Sequence, residues 1–115
     1  MMEFTPQNIE KRLFDLSKEI DEVQDALTDA EVNYIKLKGK FEIDMAKTRL
    51  SLNGIKMTQA EREDRALTVN EDTYLQLNAA EVLVKALRQK MANVKTQVDI
   101  ARSIGSSVRA SMDLT

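Results

Sequence analysis

The fold is decided by the stretch from Ile9 to Phe41, which reads IEKRLFDLSKEIDEVQDALTDAEVNYIKLKGKF. Its apolar residues recur mainly at alternating steps of four and three residues: Ile9, Leu13, Leu16, Ile20, Val23, Leu27, Ala30, Tyr34, Leu37 and Phe41. A mean step of about 3.5 residues keeps one stripe of an α-helix facing a neighbouring helix. The sequence therefore predicts an all-α fold in which long helices pack as a coiled coil.

The composition excludes several classes of function. The 115 residues suit a single helical domain spanning 1–115, and 43% apolar with 31% charged residues is typical of long helices. The chain has no cysteine and no histidine, which removes the usual zinc ligands and the usual base of hydrolytic triads. We therefore expect a protein that is not an enzyme and that holds no metal or other cofactor.

Capping signals bound the first helix at about residues 6–52. Thr5 followed by Pro6 is typical of a helix start, because proline at the first helical position has no N–H to leave unpaired. Asn53 and Gly54 tolerate the left-handed conformation that ends helices. The sequence thus predicts a turn at about 53–57.

Two capping-box sequences follow the turn, at Thr58 to Glu61 and at Thr68 to Glu71. They leave two alternatives open: a short acidic helix at about 58–68, or the start of a longer helix at Thr58. In both cases a long helix covers about 70–112. The acidic cluster from Glu61 to Asp64 is interpreted as helix capping rather than as a metal site.

The apolar stripe resumes from Leu67 in the second long helix, with steps of three and four residues from Tyr74 onward. Its residues are Leu67, Tyr74, Leu77, Ala80, Val84, Leu87, Met91, Val94, Val98, Ala101, Ile104, Val108 and Met112. Packing of the two stripes predicts that six residues are buried: Ile20, Leu27, Leu37, Leu87, Val94 and Val98.

The charge pattern predicts that the two long helices run antiparallel. Up to Glu31 the chain has nine acidic and three basic residues, whereas Lys85 to Arg109 has six basic residues and one acidic residue. Between these two blocks, Val32 to Lys56 has six basic and two acidic residues, and Met57 to Val84 has six acidic and two basic residues. An antiparallel hairpin places each block beside one of opposite charge and disfavours a parallel pairing.

Further apolar residues beside the second stripe predict self-association. They are Leu75, Ala79, Val82, Leu83, Ala86 and Ile100. This surface is wider than a two-stranded contact requires. We expect a homo-oligomeric bundle or ring, the alternatives being cover by the segment after Thr58 or by a different protein.

Basic residues gather toward the predicted turn. Lys40, Lys47, Arg49 and Lys56 are candidates for contacts with nucleic-acid phosphates, together with Lys36 and Lys38. The same residues fit a solvated face opposite the acidic block, since the net charge of −2 gives no overall attraction to nucleic acid. Both interpretations stay open at this stage.

The C-terminal segment from Ala101 to Met112 is rich in small residues, hydroxyls and arginine. Arg102 and Arg109 are further candidates for phosphate contacts. The competing interpretation is close helix packing through small residues such as Gly105, and it is favoured because the apolar stripe continues through this segment.

One local motif resembles a known family, the small helical phage recombination mediators typified by UvsY. The similar residues are Lys47-Thr48-Arg49-Leu50 at the end of the first helix, followed by Ser51-Leu52-Asn53-Gly54. An acidic segment then leads into a long helix that ends in a stretch of serine, arginine and glycine, as in that family.

The resemblance implies a non-enzymatic DNA recombination accessory protein that forms homo-oligomers and binds single-stranded DNA. It implies assistance to a recombinase or annealing protein in displacing single-strand-binding protein, with Lys47 and Arg49 on the DNA. The start of the chain has no signal-peptide pattern and no segment is apolar enough to span a membrane, so we expect a cytoplasmic protein, in the host cytoplasm if phage-encoded, with no membrane partner. The alternative is a helical protein-protein interaction module without nucleic acid: a phage inhibitor of a host or defence protein, or a structural coiled-coil adaptor.

Overall fold

A computed structural model of the chain describes residues 4–113. It contains α1 (Pro6–Ser51), α2 (Gln59–Val69) and α3 (Glu71–Asp113). Within the described range these helices are the only regular secondary structure. The predicted all-α helical hairpin is therefore confirmed.

Both signals that bound α1 act as predicted. The N–H of Asn8 donates to Oγ1 of Thr5 at 3.2 Å, and Pro6 is the first helical residue. At the other end Gly54 has a φ of 87°, in the left-handed region where a side chain would be strained. Helix α1 ends at Ser51, and the connection to α2 covers residues 52–58.

The described contacts group the chain into two compact units. The terminal unit comprises residues 1–27 and 86–115, and the turn unit comprises Thr28–Lys85. Helices α1 and α3 each contribute to both units.

The terminal unit is an antiparallel pair formed by α1 and α3. Its core holds Leu16, Val94 and Ala101, with Leu13, Ile20 and Val98 packed against them. A Cβ added at Gly105 would lie 3.2 Å from Cγ2 of Ile9, so the start of α1 lies against the end of α3. A hydrogen bond also crosses the pair: Nη2 of Arg12 donates to Oε1 of Gln97 at 2.7 Å.

The turn unit packs all three helices together. Its buried apolar residues are Ala30, Met45, Leu52, Ala66, Ala80 and Val84. The rings of Phe41 and Tyr74 meet with centroids 5.7 Å apart, which joins α1 to α3. Both aromatic residues were predicted to lie on the packed stripes, although Tyr74 remains 38% exposed.

The predicted core is largely correct but less deeply buried than expected. Leu27 and Val94 are buried, whereas Ile20, Leu37, Leu87 and Val98 are half-buried, because a helix pair leaves the edges of its contact open to water. Three residues assigned to the stripes are exposed: Leu67, Tyr74 and Met112. Leu67 lies on α2 and is exposed, and Met112 is exposed in the last turn of α3.

The second predicted capping box does not form. Thr68 lies inside α2, and its hydroxyl donates to the carbonyl of Asp64 four residues earlier at 2.8 Å. The helices instead separate at Asn70, whose N–H donates to the carbonyls of Ala66 and Leu67, both at 3.2 Å. The segment after Thr58 is therefore a helix of its own.

The side chain of Asn70 fastens this junction to α1. Its Nδ2 donates to Oγ1 of Thr48 at 2.9 Å and to the carbonyl of Ala66 at 2.8 Å. The Thr48 hydroxyl in turn donates to the carbonyl of Asp44 at 2.9 Å. This chain of hydrogen bonds fixes the point at which α2 gives way to α3.

Candidate nucleic-acid interface

A row of three exposed lysines lies on α1 within the turn unit. Lys36, Lys40 and Lys47 are all exposed. With 3.6 residues per turn, they lie within about 40° of one another around the helix and span about 16 Å along it. Lys38 is turned by about 200° from Lys36 and belongs to the other flank.

These lysines have no partner within the described part of the chain. Neither ion pairs nor side-chain hydrogen bonds involve Lys36, Lys40 or Lys47 among residues 4–113. None of the six acidic residues from Met57 to Val84, all in the described range, forms an ion pair with the row. Lys56, in the connection between α1 and α2, is likewise exposed and without an ion pair in the described range.

Arg49 differs from the lysines because it is already bound. Its Nε donates to Oε1 of Glu63 at 2.8 Å and its Nη2 donates to Oε2 at 2.9 Å, which ties the end of α1 to α2. The hydrogen bonds between the two groups are the largest cause of a raised pKa for Arg49 and a lowered pKa for Glu63; desolvation opposes both shifts, and the opposite charge adds to them. A guanidinium held by two parallel bonds offers less to a phosphate than a free ammonium group.

The capping motif that precedes Glu63 explains how the carboxylate is aimed. The N–H of Glu61 donates to Oγ1 of Thr58 at 3.1 Å, and the N–H of Thr58 donates to Oε2 of Glu61 at 3.3 Å. The predicted capping box is therefore confirmed at the start of α2. It fixes the first turn, so that Glu63 lies beside Arg49.

The acidic cluster of α2 has structural roles at two of its positions. Glu61 caps the helix and Glu63 binds Arg49. Among residues 4–113, no group of three or more acidic, histidine or cysteine side chains is placed to hold a metal ion.

Arg102 and Arg109 belong to the terminal unit rather than to the turn unit. Both are exposed and line a shallow cleft with Pro6, Glu10 and Gly105. The Nε of Arg109 donates to the carbonyl of Gly105 at 3.3 Å. The small residue Gly105 is used for the close approach to Ile9 of the same chain, in keeping with the packing role favoured for this segment.

The structure thus separates the six candidate residues into four groups, of which Arg102 and Arg109 in the terminal unit are one. Lys40 and Lys47 share one flank of α1 with Lys36. The sequence pattern alone did not distinguish Lys36 from Lys38 as a candidate for phosphate contacts. Arg49 is held by Glu63, and Lys56 lies in the connection. The opposite charges of the blocks containing Arg49 and Glu63 were the signal for their ion pair, but the pairing of individual residues required the register of α1 against α2.

Comparisons with protein-family models, with curated proteins and with solved structures found no match to this chain. None of the described helices combines the length and the apolar character that crossing a bilayer requires.

Proposed function

We propose that this protein is a non-enzymatic accessory factor of DNA recombination, of the phage type, that binds single-stranded DNA through the lysine row of α1. The observation that carries the proposal is the alignment of Lys36, Lys40 and Lys47, exposed and without partners among the described residues. The family resemblance of the Lys47 to Gly54 motif supports the same role.

The proposed contacts are electrostatic and independent of base sequence. Each ammonium group neutralises a phosphate and releases a counterion, so affinity falls as salt rises. Three lysines give weak binding per subunit, and self-association would multiply it by placing several rows on one strand. A strand held in this way is available to a recombinase or annealing protein while single-strand-binding protein leaves.

The proposal alters the set of contact residues that the resemblance implies. Lys40 and Lys47 are the principal contacts, whereas Arg49 orients α2 through Glu63. Arg102 and Arg109 form a separate candidate set in the terminal unit.

The test measures binding of a labelled mixed-sequence oligonucleotide by fluorescence anisotropy over a range of salt concentrations. Lys40→Ala with Lys47→Ala should weaken binding and lower the slope of log affinity against log salt by about 1.4, because each lost phosphate contact removes about 0.7. The control pair, Lys38→Ala with Lys11→Ala, removes the same charge away from the row and should leave most of the slope in place.

A second comparison separates Arg49 from the lysines. Arg49→Ala combined with Glu63→Ala keeps the net charge and should leave the affinity nearly unchanged. Failure of the unmodified chain to bind at low salt would overturn the proposal and favour the protein-protein interaction module. Equal losses in the row pair and the control pair would show that only net charge matters.

A further inference from the structure

Helix α1 carries an exposed apolar row on the side that faces away from its buried residues. The large members of this row are between 46% and 72% exposed: Val32, Ile35, Ile43 and Leu50. With about 100° of rotation per residue, all four lie within about 40° of the direction of Gly39. The buried Ala30 and Met45 are turned from Gly39 by about 180° and 120°. The apolar row of α1 therefore runs along the outside of the turn unit for about 27 Å.

The lysine row borders the apolar row of α1 along one edge. Its three lysines are turned from Gly39 by about 60 to 100°, all in the same direction. They lie in the stretch from Ile35 to Leu50, so cations accompany the apolar side chains along most of the row. The residue nearest to the row on the opposite edge is the exposed Glu42, turned by about 60° the other way. The two edges of the apolar row thus differ in the charge that lies closest to it.

The middle of the apolar row is open at Gly39. A Cβ added at this position would meet nothing within 4 Å, so packing within the described chain does not require a glycine there. Glycine also weakens the interior of a helix relative to alanine. Ile35 and Ile43 flank it and lie about 12 Å apart along the helix axis. A flat group can therefore reach the surface of α1 between two large apolar side chains.

We infer that the apolar row of α1 receives the bases of a single strand whose phosphates lie on the lysine row. This inference rests on the proposed DNA binding and adds a contact that the lysines do not make. The unpaired bases of a strand expose flat faces that can turn over the apolar side chains beside the lysines. A duplex keeps its bases stacked inside the helix. The apolar row therefore gives single strands an advantage that phosphate contacts alone do not supply.

The charges beside the apolar row favour a nucleic-acid strand over an anionic membrane. A membrane surface would extend across both edges of the row and would bring its lipid phosphates against the carboxylate of Glu42, which has the same sign of charge. A strand held along the lysine edge keeps its phosphates on the far side of the row from Glu42 and turns its bases toward it. A carboxylate can accept a hydrogen bond from the amino group of a base such as cytosine. Glu42 is therefore compatible with bases and unfavourable to phosphates.

The test compares a mixed-sequence oligonucleotide with an abasic strand of the same length, which has the same phosphates and no bases. Fluorescence anisotropy should show that the unmodified chain binds the base-bearing strand more tightly, with the same salt slope for both strands. Ile35→Ala with Ile43→Ala should weaken binding of the base-bearing strand by roughly tenfold and leave the abasic strand and the slope unchanged. The control is Leu75→Ala with Val82→Ala on α3, where the residues are 55% and 65% exposed against 66% and 56% for the isoleucines. The control should change neither affinity.

The outcomes separate this inference from the proposed function. Equal affinity of the unmodified chain for the two strands would overturn the inference alone, because phosphate contacts would then account for all of the binding. Failure to bind either strand at low salt would overturn the proposed function as well. An unchanged preference for bases in the Ile35 and Ile43 double variant would also overturn the inference. A fall in the mass of that variant, or in its binding to anionic vesicles, would then assign the row to a second copy or to a membrane.

A fluorescent side chain provides an independent check, because the chain has no tryptophan. Ile43→Trp places a single indole in the apolar row, and stacking with bases should quench its emission. The base-bearing strand should therefore quench this variant, and the abasic strand should not. Val82→Trp, at an exposed residue of α3, should respond to neither strand. Equal quenching at the two positions, or none at Ile43→Trp while the strand is bound, would contradict the placement of bases on this row.

Discussion

Removal of the Leu16 side chain tests the packing of the terminal unit. Leu16 is fully buried, at 0% exposure, among Leu13, Ile20, Val94 and Val98. Leu16→Ala deletes three carbon groups, and at about 0.8 kcal/mol for each the lost burial amounts to about 2.4 kcal/mol. A cavity that stayed open would raise the cost toward about 5 kcal/mol.

The geometry of the α1–α3 helix pair favours the lower part of this range of about 2.4 to 5 kcal/mol. The core of a helix pair is one layer thick, so the half-buried neighbours can move partly into the space that the leucine leaves. We therefore expect a loss of about 3 kcal/mol in the free energy of unfolding. At roughly 4 °C per kcal/mol for a chain of this size, the melting temperature should fall by about 12 °C.

The assay is urea unfolding followed by circular dichroism at one fixed protein concentration, because self-association would otherwise shift the midpoint. Leu50→Ala is the matched control: it makes the same chemical change on the same helix at a residue 72% exposed. The control should change stability by less than about 0.5 kcal/mol. Equal losses for the two variants would refute the assigned core.

Two further changes address the polar contacts of the turn unit. Asn70→Ala removes the side-chain hydrogen bonds to Thr48 and Ala66, so it should lower the free energy of unfolding by about 1 to 2 kcal/mol. The control is Asn78→Ala at an exposed residue of α3, which should have little effect at a concentration where the chain is monomeric. The lowered pKa of Glu63 means that its pairing with Arg49 stabilises the fold above the ordinary pKa of 4.5 and that this contribution is lost as the pH falls below it. Glu63→Gln should reduce this acid dependence, measured as the difference in urea midpoint between pH 7 and pH 3, and an unchanged difference would show that other carboxylates account for it.

The apolar pattern was enough to predict the packed faces of the two long helices. Leu16 and Val94 repeat in step with the helix, so their burial follows from spacing alone. The capping box at Thr58 was equally predictable, since both of its hydrogen bonds lie within four residues. Thr68 carries the same local signal and fails, because its hydroxyl can also bond to the carbonyl four residues earlier inside a helix.

Contacts that depend on the register between helices could not be predicted from the sequence. Asn70 has no local feature that selects Thr48 as its partner, and Arg49 had several acidic residues within reach of its block. The sequence supplied the opposite charges, and the packing of α2 against α1 selected Glu63. The candidate site changed accordingly, from Lys47 with Arg49 to Lys47 with Lys40.

The packing of α1 against α3 in the terminal unit restricts how the length of this protein can change during evolution. One residue inserted between Leu13 and Leu16 would rotate everything beyond it by about 100° and turn the second of these leucines away from α3. An insertion of seven residues nearly restores the phase, but it must be matched by seven more in the facing helix. Functional homologues of different length should therefore differ in the connection at residues 52–58, or else have seven residues inserted or deleted in both facing helices.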